Sequence, residues 1–91
     1  MIQSFRHKGL ALLFLENDVS KVRPDLVERV RNRLSALDDA AVAEDMNLPG
    51  FHFHSLRGKP KRYAASVNGP WRITFEFNDG DATKVDLENY H

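Results

Sequence analysis

Near Gly50 the spacing of apolar residues changes from a helical repeat to alternation, and that switch leaves few folds open. Downstream of it, Phe51 and Phe53 alternate with His52 and His54, and Tyr63, Ala65 and Val67 alternate with Ala64 and Ser66. Trp71, Ile73, Phe75 and Phe77 then alternate with Arg72, Thr74 and Glu76, and Thr83, Val85 and Leu87 close the series. Period two describes strands with one buried and one solvated face. The turn residues Asn68-Gly69 and Asn78-Asp79-Gly80 join successive strands directly, so four strands are expected to form an antiparallel meander.

Upstream of Gly50 the repeat is helical. Leu10, Leu13 and Phe14 define a helix over about Lys8 to Glu16, ended by Asn17-Asp18, and Met1 to Phe5 is a candidate edge strand. Pro24 suits a first helical turn, Asp25 and Glu28 suit its positive end, and Leu26, Val30, Leu34 and Leu37 form one apolar stripe. Arg29, Arg31 and Arg33 beside Glu28 read as a mixed-charge, solvated outer face. Asp38 to Gly50 reads as a short helical turn followed by a loop. The expected architecture is α+β: two N-terminal helices packed on a twisted antiparallel β-sheet. With 91 residues, no cysteine, no internal repeat and no linker-like tract, residues 1–91 are expected to form one domain held by packing alone. No segment approaches the ~20 apolar residues of a membrane span, and no signal-like N-terminal run is present, so the expected location is the cytoplasm.

Thirteen basic residues balance 13 acidic ones, which by itself gives no reason to expect a nucleic-acid partner. Their distribution does. Between Phe51 and Arg72 lie Arg57, Lys59, Lys61, Arg62 and Arg72 with His52 and His54, and no acid. Such segregation concentrates positive potential where a phosphate ligand would feel it. The strand face opposite the aromatics carries Arg72, Thr74, Glu76 and one or both histidines. Histidine gives and takes protons near neutrality, and RNA cleavage needs a base for the 2′-hydroxyl, an acid for the leaving 5′-oxygen and a cation for the phosphate. His54, His91, Arg57 and Arg72 supply these groups. Equally, His54 ends a strand and His91 ends the chain, and the residues alone leave the two readings open. His52 and His54 on a regular strand would point to one side as a His-x-His metal pair, but no acidic or cysteine partner accompanies them, so no metal or other cofactor is expected.

Four segments in order resemble the HigB toxins of the RelE superfamily: Met1-Ile2-Gln3-Ser4-Phe5 with His7-Lys8-Gly9-Leu10; His54-Ser55-Leu56-Arg57-Gly58; Asn68-Gly69-Pro70-Trp71-Arg72-Ile73-Thr74-Phe75; and Tyr90-His91. The resemblance covers nearly the whole chain. It implies a RelE-like fold and the toxin of a type II toxin-antitoxin system, an endoribonuclease that enters the ribosomal A site and cuts translated mRNA. It also implies neutralisation by a HigA-like helix-turn-helix antitoxin.

Carried over by position, the resemblance implies that His54 is an active-site histidine, that Arg57 and Arg72 lie near the scissile phosphate, and that Tyr90 and His91 form a catalytic terminal pair. Tyr90 suits base stacking better than proton transfer, given its ordinary pKa of ~10. Lys59, Lys61 and Arg62 are expected in a strand-connecting loop, as a solvated run or as RNA contacts, and Asn89 joins the candidate RNA-binding positions. Asn89 stands where the family usually has an acid, and a neutral amide accepts no proton. Glu88, one residue away, is expected to point to the other side of an extended segment. Trp71 is expected to pack rather than catalyse. The departure at Asn89 motivates the alternative of a noncatalytic ribosome- or RNA-binding translation inhibitor.

Overall fold

The computed structural model describes residues 1–89. Helix α1 spans Lys8–Glu16. Its first turn is capped by His7, whose Nδ1 accepts the Leu10 N–H at 3.2 Å, and Asn17 ends it in the left-handed conformation at φ 55°. Pro24 opens a single 3₁₀ turn, Pro24–Leu26, that runs into helix α2, Val27–Asp39. A second 3₁₀ turn at Ala43–Met46 seats the fully buried Met46 in the core.

The sheet is the expected meander: β1 (His54–Leu56), β2 (Arg62–Asn68), β3 (Trp71–Asn78) and β4 (Asp81–Asn89) pair antiparallel in chain order. The turn chemistry explains the short connections. Gly69 takes φ 55° ahead of Pro70 between β2 and β3, and Asp79 and Gly80 take φ 52° and 82° between β3 and β4. Positive φ at these central positions matches the twist of the flanking strands. One sheet face, with Ala65, Val67, Ile73, Phe75, Ala82 and Val85, meets Leu10, Leu13, Val30, Leu34 and Leu37 of the helices. The N-terminal segment does lie along the edge, but only as two isolated parallel bridges from Ile2 and Phe5 to Ala82 and Val85 of β4.

Four local expectations are corrected. First, the strand proposed from Phe51 begins at His54. His52 sits at φ 47°, outside extended geometry, so His52 and His54 are not neighbours on one strand face. Second, Arg62 is the first residue of β2 rather than a loop residue. Third, Thr83 is not on the core face. The pairing shifts between Thr74–Asp86 and Glu76–Thr83, a bulge with Lys84 at φ 53°, and this one extra residue makes Ala82 and Val85 the inward pair.

Fourth, Arg33 is not a solvated surface residue. Its Nε donates to the Ser66 carbonyl at 2.9 Å, and its guanidinium lies 4.3 Å from the Phe51 ring centroid. Burial lowers its pKa first, and the charge of Arg29 adds to that. Arg31 also leans inward and donates to the Asn17 side chain. Arg33 therefore ties α2 to the segment just before His54. Beyond it, Phe53 stacks on Tyr63 at 5.6 Å and Tyr63 on Phe75 at 5.8 Å, so aromatic contacts fix the approach to β1.

Candidate active site

The sheet face turned away from the helices is organised by strand register. In one cross-strand row His54 pairs with Ala64, Ala64 with Thr74, and Thr74 with Asp86. In a second row Ser66 pairs with Arg72 and Arg72 with Glu88. Neighbouring strands lie about 4.8 Å apart, so the two rows form one patch about 15 Å across. Ala64 and Thr74 are fully buried and form its floor.

His54 stands exposed at the edge of this patch. Its Nδ1 lies 2.9 Å from the carbonyl oxygen of His52. A carbonyl only accepts, so the bond needs the proton on Nδ1 and leaves Nε2 as the open nitrogen. The unusual backbone at His52 thus has a role the sequence did not disclose: it aims the carbonyl that orients the next histidine but one.

Arg72 is half-buried, and its Nη1 donates to the Gly69 carbonyl at 2.7 Å, with the Ser66 hydroxyl at 3.3 Å and the Trp71 carbonyl at 3.2 Å also in reach. These contacts use one edge of the fork. Among the described residues its Nε and Nη2 make no hydrogen bond, which leaves donors for an anion on the open side. Arg57, Lys59 and Lys61 are exposed on the β1–β2 loop, with the Lys61 ammonium 5.6 Å from the Tyr63 ring centroid.

Arg62 differs from them. Its Nη2 donates to the Thr74 hydroxyl at 2.8 Å and to the Glu88 carboxylate, and Thr74 also donates to Glu88. Partial burial pushes the Glu88 carboxyl up. Hydrogen bonds from Thr74 and Arg62, with the charges of Arg62 and Arg6, outweigh that and leave it below its ordinary value. Thr74 and Glu88 are the site-face residues that sequence reasoning did not nominate. The alternation already placed Thr74 here, but joining Arg62 to a residue 26 positions away requires the register of the whole meander.

Asn89 is exposed at the end of β4, paired with Trp71, and Glu88 points to the opposite side from it as expected. Tyr90 and His91 lie outside the described residues. The structure therefore brings His54, Arg72 and the Arg62–Thr74–Glu88 cluster onto one face, with the Arg57–Lys61 loop beside it, and leaves His52 apart.

A family model described as the RelE-like toxin of type II toxin-antitoxin system HigB matches residues 3–91. The chain is also 41% identical over 92 residues, covering all of both chains, to a protein named Endoribonuclease HigB from Proteus vulgaris. The chain belongs to the HigB-like toxin family. The α+β fold, two helices on a four-stranded antiparallel sheet, agrees with that membership, and the resemblance drawn from four short segments extends over the whole chain. As a RelE-like toxin of a type II system it works against an antitoxin partner. No helix among the described residues is long and apolar enough to cross a membrane.

Proposed function

We propose that this toxin is an endoribonuclease that cuts translated mRNA in the ribosomal A site by general acid-base catalysis. His54 and His91 share the proton transfers, Arg57 and Arg72 stabilise charge on the phosphate, and Tyr90 stacks a base. Its antagonist is a HigA-like helix-turn-helix antitoxin, and it acts in the cytoplasm.

The observation that carries this reading is the placement of His54: an exposed imidazole with Nδ1 engaged by a backbone carbonyl and Nε2 open, on the same face as the unengaged donors of Arg72. A neutral Nε2 can take the proton of a 2′-hydroxyl as that oxygen attacks the adjacent phosphorus. The leaving 5′-oxygen then takes a proton from a second acid, and the products are a 2′,3′-cyclic phosphate and a 5′-hydroxyl. Negative charge grows on the nonbridging oxygens in the transition state, where fixed guanidinium donors stabilise it more than they stabilise the bound substrate. No metal is needed for any of these steps. The relative's name supports the activity, and the basic β1–β2 loop supports a nucleic-acid substrate.

The test is primer extension on mRNA recovered from translating ribosomes incubated with the protein. New 5′ ends are expected with the wild type, and their loss is expected in His54→Ala and His91→Ala. Intact messages despite arrested translation would replace the nuclease by a noncatalytic ribosome binder, the alternative that Asn89 raises.

A further inference from the structure

We infer that Thr74 and Glu88, acting through Arg62, are positioning residues for the cleavage reaction, and that Arg62 is a fixed strut of the site floor rather than an RNA contact. The inference rests on the reading of this face as the cleavage site.

The path of the Arg62 side chain is the first observation. Continued one position beyond the Tyr63–Phe75 pair, the β2–β3 register would set Arg62 opposite Glu76, the carboxylate nearest to hand in the next strand. Glu76 is already held at 3.2 Å by the Lys84 ammonium, which the β4 bulge supplies. Arg62 instead runs diagonally over the buried Thr74, whose hydroxyl accepts from it, and ends on Glu88. Its guanidinium is thereby laid across the His54–Ala64–Thr74 row, beside the row that holds Arg72.

The second observation is that the cluster closes on itself. The Thr74 hydroxyl donates to the same carboxylate oxygen that receives Arg62, so three side chains on β2, β3 and β4 are joined in one closed set of hydrogen bonds. A guanidinium whose charge is met by an adjacent carboxylate has little net attraction left for phosphate. What it gains is rigidity. Glu88 is also the cross-strand partner of Arg72 and lies two residues before Tyr90. The cluster therefore fixes both the strand that presents the phosphate-binding arginine and the strand end from which the terminal pair continues. Neither effect requires it to touch RNA.

The test uses single-turnover cleavage of mRNA on programmed ribosomes, reading the maximal rate and the half-saturating toxin concentration separately. Thr74→Val keeps the shape of the side chain and removes the hydroxyl. We expect its maximal rate to fall roughly 10- to 100-fold with half-saturation within about threefold, because small misplacement of reacting groups has effects of that order. Thr74→Ser, which keeps the hydroxyl, is expected to recover most of the rate. A melting curve for each variant separates this from loss of fold. The neutral exchange Arg62→Met with Glu88→Gln, placed in a His54→Ala background, is then titrated with single-stranded RNA at several salt concentrations. An unchanged salt slope supports the strut, whereas a slope shallower by about 0.7 identifies Arg62 as a phosphate contact and overturns the inference. Full cleavage by Thr74→Val beside an inactive His54→Ala also overturns it, while full cleavage by His54→Ala would instead sink the reading of the face.

Discussion

Gly9 sits where helix α1 starts and where the backbone of Lys21 comes closest to it. A methyl group there would lie 2.7 Å from the Lys21 carbonyl oxygen and 2.7 Å from Cε1 of His7, the ring that caps the same helix. The carbonyl belongs to the backbone and has little room to yield, so Gly9→Ala is expected to destabilise the fold by about 1–3 kcal/mol, as overpacking does. A shift in the thermal midpoint measures it, and a neutral or stabilising outcome would show that the Lys21 segment is free to move. Glu88 makes a second prediction at this scale. Its folded-state pKa is depressed below the ordinary carboxylate value of about 4.3, so its contribution is present above that value and is lost as pH falls through the folded pKa. Melting temperatures of the wild type and Glu88→Gln should therefore differ at neutral pH and converge toward acid. A gap that widens in acid would contradict the ion pair. Individual residues were unevenly legible in the sequence. The face carrying Arg72 followed from alternation. The role of Arg62 did not, because three cations around Pro60 read as loop, while the carboxylate that draws Arg62 into the sheet lies at the far end of the chain.

Among the elements, β4 shows how one residue reshapes a strand. Ala82 and Val85 both enter the core although two residues separate them, and the bulge at Lys84 absorbs the extra one. The same residue donates its N–H to the Ser4 hydroxyl at 2.9 Å and its ammonium to Glu76, so the bulge also seats the N-terminal segment and leaves Arg62 to Glu88. Deleting Lys84 would restore plain alternation, with Ala82, Val85 and Leu87 still inward. The chain is then expected to fold with a loss of about 1–3 kcal/mol for the broken contacts. Deleting Asp86 would turn Leu87 outward and Glu88 into the core, which a domain this small is not expected to survive. Equal stability of the two deletions by chemical denaturation would refute this account of the register. Element order, both helices and the meander were readable because each rests on local periodicity and turn chemistry. The late start of β1 and the bulge were not, because both come from contacts far apart in sequence: the Ser66 N–H to the Phe51 carbonyl in one case, Ser4 and Glu76 in the other.

Over the whole molecule, neutrality conceals a directed field. Among the carboxylates on the site face, Glu76 is matched by Lys84 and Glu88 by Arg62, so two potential repellers of RNA are already answered within the protein, while Asp86, in the His54 row, takes only the Leu87 N–H among the described residues. The cations that remain run from the exposed Arg57, Lys59 and Lys61 on the β1–β2 loop, past His54, to the half-buried Arg72 near the β2–β3 turn. That course spans both ends of the sheet and suits a single strand crossing the face with the scissile phosphate near the middle. If each of these four side chains meets one phosphate, the logarithm of the affinity for single-stranded RNA should fall with the logarithm of salt concentration at a slope of about −3, roughly 0.7 per contact. The measurement is a salt titration of RNA binding in the cleavage-deficient His54→Ala background. Replacing Lys59 or Lys61 by Ala should lower the slope by about 0.7 each and weaken binding alike for different RNA sequences, because phosphate contacts position a strand without reading its bases. A slope near zero would mean that RNA does not follow this face. An undiminished slope in a Lys59→Ala, Lys61→Ala double variant would leave those lysines as solvated charge and put the RNA path elsewhere on the protein, because Arg57 and Arg72 alone account for a slope of only about −1.4.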